Sequence, residues 1–424
     1  MPSRPSRRAL LASLGTIALA GCTGDDDADG SSPTTTSDVK PTTSSTDAPT
    51  SSPGSTPSPT PEPTPEAPST IGSEWPMPAH DPGRSNYAPA AAGPTDRVAE
   101  LWRVTADGDL SAPVVAGGTL FVGGADGSVL ALDARSGDER WRRSVGGPAA
   151  TPRVMDGQVY VPTRSSIAAF DADDGGKRWR VETPDRVDGH EADGRGEPSS
   201  LLVAAHGVYW LSRGGTPAVV ALASDDGSER WRTEIRDPWS PRLFASDDTV
   251  FLSSGTHGRI PWRFDPESGT VAEEPAPGYD FPDERFFLDG AVYGVDPMFG
   301  IVHGPGWTAG GDEFATGGDY GLSGGADNVY YVPNNDAGPG IVALERSDGA
   351  TAWRTDDVTM GVSRPVVATR TVLVRTDGAL HCFDPADGSE RWRRPSEGIG
   401  DGVVVVDDLL FATHDDTVRA FRPP

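Results

Sequence analysis

Ala131-Leu-Asp133-Ala-Arg-Ser-Gly137-Asp-Glu-Arg-Trp141 spells a β-hairpin with its turn chemistry included. A small apolar residue sits on one strand, Asp and Gly supply the tight turn, and Trp lies on the returning strand. The spacing recurs at Ala169, Asp171, Gly175 and Trp179, at Ala221, Gly227 and Trp231, and at Ala343, Gly349 and Trp353. A fifth copy, Cys382, Asp384, Gly388 and Trp392, places cysteine where the others have alanine, so Cys382 reads as a small buried residue and not as a nucleophile. Two units depart from the pattern. One has Arg263, Gly269 and Glu273, and the next, around Gly300 to Phe314, shows no clear motif.

Each motif follows a short β-rich run. Eight such runs begin at Leu120, Val159, Val208, Val250, Val292, Val329, Val372 and Leu409, separated by 37 to 49 residues. That is the period of a four-stranded propeller blade. Burying one indole against a neighbouring blade removes about 150–250 Å² from water, an upper bound of about 4–6 kcal/mol, so repeated tryptophans supply much of the adhesion between blades. Trp102, Trp141, Trp179, Trp231, Trp353 and Trp392 are the expected docking residues.

The chain ends in Thr417-Val-Arg-Ala420-Phe-Arg-Pro-Pro424, which starts a motif and stops before its tryptophan. At the other end Val98-Ala-Glu-Leu-Trp102-Arg-Val is a tryptophan strand without a preceding motif. Interlocking the two removes the open edge of a ring. The expected fold is therefore all-β: an eight-bladed propeller of four-stranded antiparallel blades, closed by an N-terminal strand in the C-terminal blade.

These motifs resemble the tryptophan-docking repeat of PQQ-type propellers, a superfamily that takes in BamB-like assembly lipoproteins and quinoprotein dehydrogenases. The resemblance covers residues from about 75 to 424. Trp75-Pro-Met-Pro-Ala-His80-Asp81-Pro-Gly-Arg84-Ser-Asn86 is similar to the lead-in that precedes many such propellers, and reads as a cap, with a metal at His80 and Asp81 as the lesser use. The domains expected are a signal peptide over 1–21, a stalk over 22–73, the lead-in over 74–96 and the propeller over 97–424.

Arg4, Arg7 and Arg8 followed by the apolar run Ala9 to Ala20 form a signal peptide too short to span a bilayer. The paired arginines resemble a twin-arginine signal, and a general-pathway n-region has the same look. Leu19-Ala20-Gly21-Cys22 resembles a lipobox, which would make Cys22 the lipidated first residue and tether the protein to the outer face of the cytoplasmic membrane. Residues 23 to 73 are Ser, Thr, Pro, Gly and Asp with almost no aliphatic side chains, a composition that cannot offset its ordering entropy.

The formal net charge is −27, with 63 acidic against 36 basic residues. Such a surface repels nucleic acid. It fits a halophilic host, where salt screens self-repulsion, and the near-absence of lysine fits a GC-rich genome equally.

With the tight turns all assigned to one face, length variation falls on the other, at 183–200, 254–262, 275–286, 296–312 and 333–340. Those segments carry His190, Glu191, Asp193, Tyr279, Phe281, His303 and Trp307, which together with Trp239 are the candidate ligand residues. His190, Glu191 and Asp193 read as solvated loop residues or as a divalent-cation site. Arg153, Arg242 and Arg364, beside Pro152, Pro241 and Pro365, are placed at the channel mouth, as an anion site or as partners of aspartates.

No Gly-x-Ser-x-Gly elbow, His-Glu-x-x-His pair or phosphate loop is present. The expectation is a monomeric, non-enzymatic binding or assembly scaffold with an unknown protein or glycan partner and no cofactor. The resemblance also implies a second reading, a dehydrogenase with pyrroloquinoline quinone and calcium in the channel. Against it, the chain lacks the adjacent cysteine pair of the alcohol-oxidising class, having only Cys22 and Cys382, and its calcium ligands have no residue-level match. A third reading is a polysaccharide-binding module that stacks sugars on Trp239, Tyr279 and Trp307.

Overall fold

The computed structural model describes residues 70–183, 201–212, 216–235, 242–253, 262–273, 284–296, 301–310, 321–332, 340–355, 358, 363–400 and 402–424. They form eight sheets, each an antiparallel meander of four strands counted here from the axis outward, and together an eight-bladed β-propeller. The first blade comprises Val114–Ala116, Thr119–Gly123, Ser128–Asp133 and Glu139–Ser144. Burial explains the sequence pattern. The three inner strands are packed on both faces and are continuous apolar runs, whereas the outer strand buries only Trp141 and reads Glu-Arg-Trp-Arg-Arg-Ser.

The eighth blade is built from both ends of the fold. Val403–Val406, Leu409–His414 and Thr417–Arg422 are completed by Ala99–Thr105, which pairs antiparallel with Thr417–Arg422 and sets Trp102 opposite Ala420. That register matches Ala131 opposite Trp141 within the first blade.

A second irregularity recurs with the motif. In seven blades the pairing of the third and outer strands shifts near the tryptophan position, as between Ala131 and Leu132 or between Cys382 and Phe383. A bulge of this kind twists the strand and re-aims the side chain beside it. The fifth blade pairs Ile301–Gly304 with Trp307–Gly310 without a shift.

The seventh blade exceeds the expected four strands. Tyr87–Ala88 pairs parallel with its innermost strand, Val366–Ala368, so the lead-in contributes a short fifth strand on the axial side.

The fifth blade also corrects the reading of 296–312 as one long loop. Ile301–Gly304 and Trp307–Gly310 are its third and outer strands, joined by Pro305-Gly306. The segment taken as the loop 275–286 likewise runs into the blade's inner strand, Glu284–Leu288. Alternation of apolar and polar residues is weak in both stretches, which is why they resembled loops.

Candidate functional surface

Seven indoles reach from the outer strand of one blade to the next unit around the ring. Trp102 Nε1 donates to Ala134 O at 3.2 Å, Trp141 to Ala172 O at 3.0 Å and Trp179 to Ser224 O at 2.8 Å. Trp231 donates to Pro266 O, Trp307 to Arg346 O and Trp353 to Pro385 O, each at 2.9 Å. In every one of these six the accepting residue precedes the motif glycine of the next blade by three, and the ring lies against that glycine. Trp392 instead donates to Pro94 O at 2.9 Å, in the lead-in just before Ala99–Thr105, the outer strand of the eighth blade. One such bond is worth about 1 kcal/mol net, so most of the adhesion comes from the buried ring.

Trp307 had been counted among the ligand-face residues, and its position corrects that. It begins an outer strand, its indole stands over Gly349, and it serves the junction between the fifth and sixth blades. His303 sits in the third strand opposite Thr308, not in a loop. Trp307 was missed because the hairpin here is only His303-Gly304-Pro305-Gly306-Trp307, so the spacing from small residue to tryptophan collapses.

The same short hairpin accounts for the other departure. Glu273 pairs with Arg263 at the register position where other blades put tryptophan opposite a small residue. An indole there would face the fifth blade, which has no Asp-x-x-x-Gly turn to receive it. Donor and acceptor are thus lost together, at a single junction.

Around the axis, the lead-in laces the inner strands. Gly72 and Ser73 donate their amides to the Asp407 carboxylate at the turn of the eighth blade. Trp75 exchanges backbone bonds with Val115 of the first blade, and Pro76 O accepts from Val154 of the second. Pro82 O accepts from Ala245 of the fourth, Gly83 O from Phe287 of the fifth, Ser85 O from Gly324 of the sixth and Asn86 O from Val367 of the seventh. Gly93 N returns to Asp407 O. Trp75, Met77, Ser85, Asn86, Tyr87 and Ala88 are buried there. Ala79, His80, Arg84 and Asn86 take left-handed backbone angles, φ 61°, 77°, 63° and 57°, a conformation that costs non-glycine residues about 1 kcal/mol each and persists where surroundings enforce it. His80 Nδ1 lies 3.4 Å from Asp81 Oδ2, and Ser85 Oγ also donates to Asp81.

Two of the three arginines assigned to the channel mouth make main-chain contacts. Arg153 is buried and donates to Thr151 O at 2.8 Å. Arg364 donates to Leu322 O at 2.7 Å and to Arg84 O at 2.5 Å, tying the seventh blade to the lead-in. Arg242 begins the inner strand of the fourth blade. Cys382 is fully buried opposite Trp392, and burial pushes its thiol up to about 12. Tyr160 and Tyr330, in the second strands of their blades, are raised to about 12 for the same reason. Sequence reasoning also missed a polar lock between the third and fourth blades. His206 Nδ1 meets Tyr209 Oη at 2.6 Å, and its Nε2 meets Ser246 O at 3.0 Å.

His190, Glu191, Asp193, Trp239, Tyr279 and Phe281 lie outside the described residues, as does Cys22. Among the described residues no three His, Cys, Asp or Glu stand together to hold a metal ion, and Cys382 has no neighbouring cysteine in sequence.

The family model for outer membrane protein assembly factor BamB matches residues 95–203, 163–272 and 306–422. Serine/threonine-protein kinase AfsK of Streptomyces griseus is 34% identical over 171 residues, covering 37% of this chain and 20% of the kinase. Quinohemoprotein alcohol dehydrogenase ADH IIB of Pseudomonas putida is 28% identical over 180 residues, covering 35% of this chain and 25% of the enzyme. The chain thus spans a quarter or less of these two relatives. The crystal structure of BamB from Moraxella catarrhalis superposes with a TM-score of 0.57 at 18% identity, covering 77% of this chain and 98% of that one, a likeness of fold.

Proposed function

This chain belongs to the family of outer membrane protein assembly factor BamB, and from that membership we propose that it is a non-enzymatic binding or assembly scaffold working outside the cytoplasm. The observation that carries the reading is the cross-bonding of the ring. Seven docked indoles and a lead-in bonded to seven of the eight blades brace neighbouring blades against one another, a platform suited to presenting loops. The tight turns of one face leave little surface for a ligand, so the partner-binding side is the opposite one. Lipidation at Cys22 and the Ser/Thr/Pro-rich stretch after it would hold the ring clear of a membrane.

A photo-crosslinking amino acid at Ser165, on the proposed binding face, should capture partner protein in the cell envelope, whereas one at Arg135, on the tight-turn face, should not. Equal capture at both positions would contradict the assignment of faces. The likeness to ADH IIB keeps a quinoprotein dehydrogenase as the competing reading. Purified protein mixed with pyrroloquinoline quinone and calcium should acquire no bound chromophore and no dye-linked oxidation of alcohols, and clear turnover would overturn the scaffold.

A further inference from the structure

In two blades the residue two beyond the tryptophan bonds to the next blade's turn. In the first blade Arg143 occupies this position, donating Nε to Gly175 O at 2.8 Å and Nη2 to Asp174 O at 2.6 Å on the next blade's turn. In the third, Thr233 donates to Gly269 O at 2.7 Å. The seventh blade has Arg394 here. Its neighbour is the eighth blade, where the lead-in around Pro94, and not a hairpin turn, receives Trp392, since the outer strand there is Ala99–Thr105.

Arg394 lies with its guanidinium carbon 4.3 Å from the centre of the Phe421 ring, and its Nη1 is buried without a hydrogen-bond partner. Phe421 is paired with Glu100, and Arg103 with Arg419, so all four belong to one face of the closing strand pair. Glu100 Oε1 accepts from Arg103 Nε at 2.6 Å, and its Oε2 is 3.6 Å from Arg419 Nε. Burial, and the repulsion of Arg97 and Arg419 against the attraction of Glu100, hold the Arg394 guanidinium below its ordinary value. Arg103 and Arg419 thus meet the Glu100 carboxylate, with Arg394 over the ring of Phe421 that pairs with Glu100, on a chain whose net charge is −27.

We propose that the groove between the seventh and eighth blades binds an oxyanion of the phosphate or sulfate type, held by the Arg394 fork where turn carbonyls receive Arg143 in the first blade. A planar guanidinium presents paired donors that match two oxygens of such a group. The site lies on the rim at the ring's closure, apart from the channel and the long loops, and does not depend on which function the protein has. A free anion and an ester on a glycan or lipid headgroup share this chemistry, and the ligand series below separates them.

The test uses the full chain, with melting temperature and titration calorimetry read in inorganic phosphate, sulfate and a methyl phosphate monoester, against chloride at matched ionic strength. Saturable binding and a rise in melting temperature are expected with phosphate and sulfate. Retained binding of the monoester points to an esterified ligand, and its exclusion to the free ion. Arg394→Gln should weaken binding at least tenfold, Arg419→Gln should weaken it less, and Arg143→Gln should leave it unchanged. Should Arg394→Gln fail to fold, Arg394→Lys, which keeps the charge and loses the fork, should still bind several-fold more weakly. Absence of saturable binding in the parent chain, or equal binding by parent and both Arg394 variants, would overturn the proposal.

Discussion

Trp102 lies with its indole flat against Gly137, so that a Cβ added to the glycine would come within 2.9 Å of the ring carbons Cδ2 and Cε3. The contact joins the outer strand of the eighth blade to the turn of the first, and is the point where the ring shuts. Gly137 has φ 78°, so L side chains are disfavoured there by the backbone as well as by the ring.

Gly137→Ala should accordingly cost about 2–4 kcal/mol, combining left-handed strain of about 1 kcal/mol with overpacking of about 1–3. Gly117→Ala is the control. Gly117 is also left-handed, at φ 54°, but a Cβ there meets nothing within 4 Å. It should show the strain alone, about 1 kcal/mol. Denaturant unfolding of both variants measures the difference, and equal losses would mean that the indole contributes no packing at the closure.

The junction between the fourth and fifth blades makes a complementary prediction. Docking needs an indole and a receiving turn, so Glu273→Trp should not raise the melting temperature, since the fifth blade offers only Pro305-Gly306. Trp353→Ala, at a complete junction, should cost about 3–5 kcal/mol. A melting temperature raised by Glu273→Trp would show that the receiving turn is dispensable.

Much of this was legible in the sequence, and the exceptions have physical causes. The hairpins, their count and the closure by the segment around Trp102 follow from a turn chemistry that must be spelled locally: Asp to accept amides, Gly for φ above zero, Trp at fixed distance. Trp307 escaped because its hairpin turns in two residues, so the same role is spelled at a different spacing. The lacing by residues 72–93 was invisible for another reason. Its bonds are made by backbone groups such as Pro82 O and Gly83 O, which no side-chain pattern announces. Gly83 does leave one trace, since a Cβ there would stand 2.4 Å from Phe287 O. Six of the eight ligand-face candidates, His190 to Phe281, fall outside the described residues.

Cys382 occupies the alanine position of its motif and is buried, with its thiol raised to about 12. Alkylation of the folded protein by iodoacetamide at pH 8 should therefore spare it, with labelling only after unfolding. Its folded value exceeds the unfolded one, so its contribution to stability is fully present below about 8.5 and is lost as pH rises toward about 12. Cys382→Ala should change stability by about 1 kcal/mol or less, because other blades seat alanine opposite the same tryptophan. Rapid labelling of native protein at pH 8 would refute the burial.

Acid should loosen the turns before the core. Hydroxyls of Ser128, Ser228, Ser246, Ser268 and Ser389 hold the carboxyls of Asp126, Asp226, Asp248, Asp265 and Asp387 below the ordinary value of 3.8. A lowered folded value gives stability that is present above the unfolded pKa and lost as pH falls through the folded one. At fixed ionic strength the melting temperature should be flat from pH 7 to about 5 with respect to these groups and fall below about 4. Ser128→Ala and Ser389→Ala together should shrink that fall, and an unchanged acid limb would show that the serines do not set it.

The most direct test of the ring itself is a pair of deletions compared by thermal unfolding. Removing residues 96–104 takes away the outer strand of the eighth blade together with Trp102, and should leave a chain that unfolds or aggregates. Removing residues 23–69 should leave the melting temperature where it was. Equal effects from the two deletions, or a stable monomer lacking 96–104, would contradict closure of the propeller by its N-terminal strand.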